Sequence, residues 1–207
     1  GWVTGKKRLT ASVDLPKSVS DSDITIIAVG TPTVDGSIDL SQVKEAAWQI
    51  GAALVKKKAY HVVAVKSTVV PGTTEHVAWP VLMEASGKSV KQIGLCMNPE
   101  FLREGNALED ALKPDRIVIG SIDKKSAALY AKLFTKNDCP TFFVNLTTAE
   151  MSKYVSNVLL ATLISFSNEI GNLASSIPSV DVIDVWKTVH ADRRWSPNVG
   201  KKKIVPG

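Results

Sequence analysis

The chain has 207 residues, a net charge of +5 and two cysteines, with 44% hydrophobic and 22% charged residues. That composition is ordinary for a globular protein and allows one large domain or one and a half smaller ones. It excludes a disulfide framework and makes a reduced, cytosolic setting the expectation. No apolar run reaches the ~18 residues that a membrane helix needs, no signal-peptide pattern opens the chain, and His61, His76 and His190 are too scattered for a metal site. The lysines at 56–58 and 201–203 are not interleaved with aromatic residues, so a nucleic-acid surface is not expected. They suit a solvated surface with some attraction for an anionic ligand.

In chain order, Ile24–Val29 is a β-branched apolar run without alternation, the pattern of a strand buried on both faces of a parallel sheet. Gly30-Thr31-Pro32-Thr33 ends it. The spacing of Val43, Ala46, Ala47, Ile50, Ala53 and Leu54 predicts a helix from about Ser41 to Lys57. His61–Val65 is a second strand, closed by Lys66-Ser67-Thr68, and Pro71-Gly72-Thr73-Thr74 leads into a helix reaching about Ser86. Ile93–Met97 is a third strand, in which Cys96 reads as a small core hydrophobe. Arg116–Gly120 is a fourth, Ala127–Thr135 a helix and Thr141–Val144 the last strand. Alternating strands and helices of this length mean parallel βαβ units. After Leu146 the pattern is helical throughout. Thr147-Thr148-Ala149-Glu150 starts a long helix with an acid in its first turn, running to about Ser176, and Val182–Val189 is a shorter one. The expected fold class is α/β, a parallel sheet with helices on both faces, followed by an all-helical segment, with the boundary near residue 146. Ser196–Gly207 reads as loop.

Polar residues gather where strands end, which is where ligands dock in open α/β sheets. Asn98-Pro99-Glu100-Phe101-Leu102-Arg103-Glu104-Gly105 leaves the third strand with two carboxylates four apart around an apolar pair and an arginine. Thr31-Pro32 and Ser67-Thr68 close earlier strands. Lys153 and Asn157, also four apart, share one face of the predicted long helix. Each cluster has a plainer reading: an acidic helix start for the glutamates, turn chemistry for Ser, Thr and Pro, and a solvated lysine beside a helix-packing asparagine.

Taken together and in order, these segments resemble the nucleotide-sugar 6-dehydrogenases, the UDP-glucose and GDP-mannose dehydrogenases. The resemblance is carried by Val29–Thr33, Lys66-Ser67-Thr68-Val69, Asn98–Gly105, Pro114-Asp115-Arg116-Ile117-Val118-Ile119-Gly120, Glu150–Asn157 and Ile164–Ile170. Asp115-Arg116 after Pro114 resembles the UDP-glucose branch more than the GDP-mannose branch. The N-acetylmannosamine branch has a different segment where Asn98–Gly105 stands. Asn106 departs from the Ser or Thr usual in the family.

The resemblance implies a partial Rossmann-like NAD domain over residues 1–146 and the start of a central helical dimerisation domain over 147–207. It implies NAD as cofactor and UDP-glucose as the nucleotide-sugar substrate, with the C6 alcohol oxidised twice, through a thioester. Lys153 would stabilise the oxyanion and Asn157 hold substrate or water. Glu100 would assist hydrolysis as a general acid or base, Glu104 would lie near the nicotinamide ribose, and Thr68 would order a water. Thr31, Pro32 and Ser67 would line the cofactor; Phe101, Leu102 and Arg103 would contact the sugar nucleotide. Lys201–Lys203 would fall in a substrate-contacting segment, and the long helix from near Thr148 would form a homodimer. The family's GxGxxG turn and Gly-Gly-x-Cys nucleophile segment are not among these 207 residues, so the stretch is expected to be an internal piece, inactive by itself. Two other readings are a 3-hydroxyacid-type dehydrogenase, which also pairs Lys and Asn four apart, and a non-catalytic assembly module.

Overall fold

The computed structural model describes residues 9–192, Arg194 and the backbone of residues 198–199 and 202–203. The elements in chain order are α1 (Leu15–Ser20), β1 (Ile24–Ile27), β2 (Thr33–Val34), β3 (Ser37–Ile38), α2 (Ser41–Leu54) and β4 (His61–Val65). A π-turn (Thr74–Ala78) leads into α3 (Trp79–Ser86), followed by β5 (Ile93–Met97), α4 (Ala107–Leu112), β6 (Ile117–Ser121), α5 (Lys124–Ala131) and β7 (Thr141–Val144). Helices α6 (Leu146–Ser175) and α7 (Val182–His190) and the short strands β8 (Asn198–Val199) and β9 (Lys202–Lys203) complete the described chain. Two compact units divide between Tyr154 and Val155.

In the first unit the sheet order is β1-β4-β5-β6-β7. β4 and β5 are buried at every position, and their side chains alternate between two cores, as the pleat requires. Val63, Val65, Leu95 and Met97 pack with Val19, Val43, Ala47, Ile50, Leu54 and Leu82 from α1, α2 and α3. Val62, Ala64 and Cys96 pack on the other face with Ile117, Ile119 and Tyr130 of α5. Helices therefore cover both faces, as the apolar strand pattern requires.

Two expectations change. β1 is not buried on both faces: it pairs only with β4 among the described residues, and Ile26 is 41% exposed. An apolar run reports buried potential, not how many neighbours a strand finds. The sheet is also mixed. β1, β4 and β5 run parallel, as do β6 and β7, but β5 and β6 are antiparallel. Between Met97 and Ile117 the chain forms only the six-residue α4, too short to cross a sheet face as a βαβ unit needs. β6 therefore re-enters at the edge that β5 leaves, and the two strands overlap only at Cys96↔Ser121 and Met97↔Gly120.

This stagger brings the end of β7 and the start of α6 against the carboxyl end of β5. The contact is close. A Cβ on Gly120 would stand 2.7 Å from Ala149 Cβ, 2.9 Å from Asn145 O and 3.0 Å from Leu146 Cα.

In the second unit, α7 is capped by Asp181, whose carboxylate accepts from the Ile183 and Asp184 amides. Trp186 meets Phe166 edge-on, ring centroids 6.1 Å apart. Val155, Val158, Leu159, Leu160, Ile164 and Phe166 are exposed along α6. The expected loop after Ser196 contains the antiparallel pair of β8 and β9; Lys201 and the side chains of Lys202 and Lys203 lie outside the described residues. Among those described, no helix is long and apolar enough to cross a membrane.

Gly120→Ala forces the start of α6 away from β6, because the atoms in the way are backbone and another Cβ. It is expected to cost about 1–3 kcal/mol, read as a lower urea midpoint by tryptophan fluorescence; an unchanged midpoint would show that α6 does not depend on this seat.

Candidate active site at the strand ends

The loops leaving β1 and β4 are tied together by their own hydroxyls. Thr31 Oγ1 donates to the Thr68 carbonyl (2.7 Å), Ser67 Oγ donates to the Val29 carbonyl (2.7 Å), and the Lys66 and Ser67 amides both donate to Ile27 O. Thr31 and Thr68 are half-buried, Ser67 is buried and Pro32 is exposed. The donors of Thr31 and Ser67 are thus engaged with backbone. What these loops offer a ligand is a fixed backbone shape, Pro32, and the free faces of Thr31 and Thr68.

The exit from β5 is held by Asn98, 3% exposed. Its amide N–H donates to Val65 O of β4 (2.9 Å) and its Nδ2 to Val118 O of β6 (2.8 Å). Its Oδ1 accepts from Lys66 Nζ (2.9 Å) and from the Tyr130 hydroxyl (3.2 Å). One residue, through its backbone and side chain, thereby ties the end of β5 to β4, β6 and α5.

Two residues on, Glu100 Oε1 accepts from Lys153 Nζ at 2.7 Å, and Glu100 Oε2 from the Leu102 amide at 2.6 Å. The lysine side chain is 7% exposed and the glutamate's 28%, so the pair faces outward through the carboxylate. Burial alone would raise the Glu100 carboxyl; the hydrogen bonds from Lys153 and the Leu102 amide, and the charges of Lys153 and Lys66, outweigh it and hold the group below its ordinary range. Phe101 packs beside the pair. The Arg116 guanidinium lies 3.8 Å from its ring centroid, and Lys153 Nζ lies 5.8 Å away.

The rest of the 98–105 segment turns away. Leu102 and Glu104 are exposed. Arg103 is clamped to Asp110 (2.6 Å) at the surface. This carboxylate, with the arginine beside it, stays ionised far below the usual range. The segment is a loop before α4 and not the helix start that its acids could suggest. Asn157 lies one turn beyond Lys153 on α6, in the second unit, and is exposed.

Of the candidate residues, the structure brings Glu100, Phe101 and Lys153 into contact and joins Thr31 to the Thr68 backbone. Four participants were not singled out from sequence: Lys66, Asn98 as a side chain, Arg116 and Glu150. Glu150 reads as a first-turn acid of its own helix. It is instead fully buried and accepts the amides of Gly72 and Thr74 (2.7 Å for the latter), capping the π-turn that follows β4. Lys66 does carry a signal, as a charge placed immediately after five buried strand residues. Neither cysteine enters the cluster. Cys96 is core, and burial pushes its thiol up to about 12; Cys139 lies before β7. Among the described residues no group of three or more His, Cys, Asp or Glu side chains is placed to hold a metal.

Replacing Lys153 with Met removes the first of the groups that lower Glu100, leaving the Leu102 amide and Lys66, and leaves the burial that raises it. Its titration, followed by carboxyl 13C NMR, is expected to move to higher pH. In the parent chain the stability contributed by the ion pair is present above the ordinary carboxylate range and lost as pH falls through the folded value; in the variant that contribution is gone. An unshifted midpoint would mean that the 2.7 Å contact does not govern this carboxylate.

Comparison with known proteins gives one family. Residues 3–138 match the model of the UDP-glucose/GDP-mannose dehydrogenase family, NAD binding domain, and residues 147–207 match that family's central domain. The chain is 37% identical over 202 residues to GDP-mannose 6-dehydrogenase of Pseudomonas aeruginosa, covering 97% of this chain and 46% of that one. It is 40% identical over 194 residues to UDP-glucose 6-dehydrogenase of Haloferax volcanii, covering 90% and 45%. The structure of a UDP-glucose dehydrogenase from Pyrobaculum islandicum superposes with a TM-score of 0.86 at 42% identity, over 94% of this chain and 44% of that one. The chain thus spans about half the length of the curated relatives it matches. Two family domains in sequence, a matching fold and a Lys–Glu pair at the carboxyl end of the sheet lead to one conclusion: the chain belongs to the UDP-glucose/GDP-mannose dehydrogenase family.

Proposed function

We propose that this chain forms the latter part of the NAD domain (residues 1–146) and the start of the central domain (147–207) of a nucleotide-sugar 6-dehydrogenase that converts UDP-glucose to UDP-glucuronate. The observation that carries the reading is the ion pair between Lys153 and Glu100, 2.7 Å long, where β5 opens.

An ammonium has three donors. Lys153 gives one to Glu100, which leaves others for a substrate oxygen as negative charge develops on it. A fixed cation in so dry a position stabilises that charge without reorganising. Glu100 is held ionised, so it can accept a proton from an alcohol or a water and later return it. Thr68 would place the water and Asn157 the substrate. Phe101, Leu102 and Arg103 would contact the sugar nucleotide, with Phe101 set by the Arg116 guanidinium. NAD, when bound, would supply the hydride acceptor. Thr31, Pro32, Ser67, Thr68 and Glu104 would hold it, and the engaged hydroxyls of Thr31 and Ser67 fit contact through loop backbone and exposed surface. Pro114-Asp115-Arg116 favours UDP-glucose over GDP-mannose. The exposed apolar residues of α6 from Val155 to Phe166 favour a homodimer through that helix. The absence of disulfide chemistry suits the cytoplasm.

The protein that carries these residues is expected to form two NADH per UDP-glucose and far less from GDP-mannose, with kcat falling by at least ~100-fold in Lys153→Ala. The 207 residues by themselves are expected to form no UDP-glucuronate, because their cluster has no thiol to carry an acyl group. Faster turnover of GDP-mannose would reverse the substrate assignment; full activity of Lys153→Ala would remove the catalytic one.

A further inference from the structure

Lys66 stands at the end of β4, immediately after five fully buried residues, and only partly exposed itself. A lysine there carries a desolvation cost that a neutral residue would avoid. What it meets is specific. Its Nζ donates to Asn98 Oδ1 at 2.9 Å. Asn98 cannot turn its amide around, because Val118 O can only accept and Lys66 can only donate. The acceptor end of the asparagine is therefore committed to the lysine and to the Tyr130 hydroxyl (3.2 Å). The next residues in the chain are Pro99, which is buried, and the half-buried Glu100.

We propose that Lys66 is a positioning residue of the site: it anchors Asn98, and with it the Pro99–Glu100 turn, and adds a second positive charge near the carboxylate that Lys153 binds. The inference rests on the reading of Glu100 as the acid–base group. Its chemistry is simple. A carboxylate with two ammonium groups nearby forms a cluster of net charge +1, which keeps the base ionised and still favours an anionic substrate oxygen. The groups that face Glu100 are Lys153 from α6, Lys66 from the end of β4 and the Leu102 amide from its own turn, with the Arg116 guanidinium behind Phe101. Lys66 bonds to Asn98, and the charges of Glu100 and Lys153 act on it. Burial lowers the Lys66 ammonium; Glu100 counters this and Lys153 adds to it, the mark of two like charges sharing one counter-ion.

The arrangement supplies its own control. In Lys66→Met the amide of Asn98 keeps the Tyr130 donor, so the turn loses a charge without leaving a buried acceptor orphaned. In Tyr130→Phe the same oxygen loses a donor and keeps the charge. Carboxyl 13C NMR of Glu100 in the 207-residue chain separates the two. Lys66→Met is expected to move the Glu100 midpoint to higher pH, Lys66→Arg to leave it near the parent value, and Tyr130→Phe to leave it unmoved. A midpoint unchanged in Lys66→Met, or displaced as far in Tyr130→Phe, would overturn the proposal and reduce Lys66 to a packing residue. The readout needs no turnover. A shifted midpoint in Lys66→Met together with full activity of Lys153→Ala in the turning-over protein would keep this assignment and discard the catalytic reading of the cluster.

Discussion

Asn98 sits where the sheet changes direction, and the site depends on that position. A parallel ladder passes hydrogen bonds evenly from β4 to β5. The antiparallel step to β6 breaks that regularity after two residue pairs, and buried backbone groups at such a break must find partners elsewhere. Asn98 meets the need from both ends, donating from its amide N–H to β4 and from its Nδ2 to β6. An asparagine suits the place because it carries a donor and an acceptor on one short planar group. Aspartate would set a negative charge against Val118 O, and leucine would leave two donors and a carbonyl unpaired.

From that joint the site follows in order. Lys66 can be held in a low-dielectric place because Asn98 and the nearby carboxylate balance its charge. Pro99, buried, stiffens the step to Glu100. The stagger of β6 and β7 draws the first turns of α6 over the strand ends, and Gly120 allows the approach. Glu150 then caps the π-turn after β4, and Lys153, one turn later, reaches Glu100. A buried glutamate serving two amides of another segment is a rigid link, because the fully buried carboxylate has no water to fall back on. The Lys153–Glu100 pair is thus mounted on two fixed supports, the Asn98 joint and the Glu150 cap. Such support is what separates a preorganised cluster from a surface ion pair of similar length, such as Arg103–Asp110.

Much of the fold was legible because it rests on local patterns. The two strands buried on both faces, His61–Val65 and Ile93–Met97, announce themselves by unbroken apolar runs, and β7 and α6 fall within a residue or so of their predicted bounds. What escaped were short or exposed elements with little hydrophobic signal: α1, the hairpin of β2 and β3, and α4. The antiparallel step was invisible for a different reason. Strand direction is set by whether the connection can cross a face, and a nineteen-residue link looks long enough until it is seen to fold as loop and a single helical turn and a half.

The sequence by itself determined the fold class and the gathering of polar residues at strand ends; periodicity and residue chemistry are local, so a linear chain displays them. Only the tertiary structure decided which partners meet. It set Lys153 against Glu100 across 53 positions and Lys66 against Asn98 across 32, turned Arg103 and Glu104 outward, and gave Glu150 to another segment's amides. Those choices depend on strand stagger and on the balance of burial against hydrogen bonding, which exist only once distant segments have been packed together.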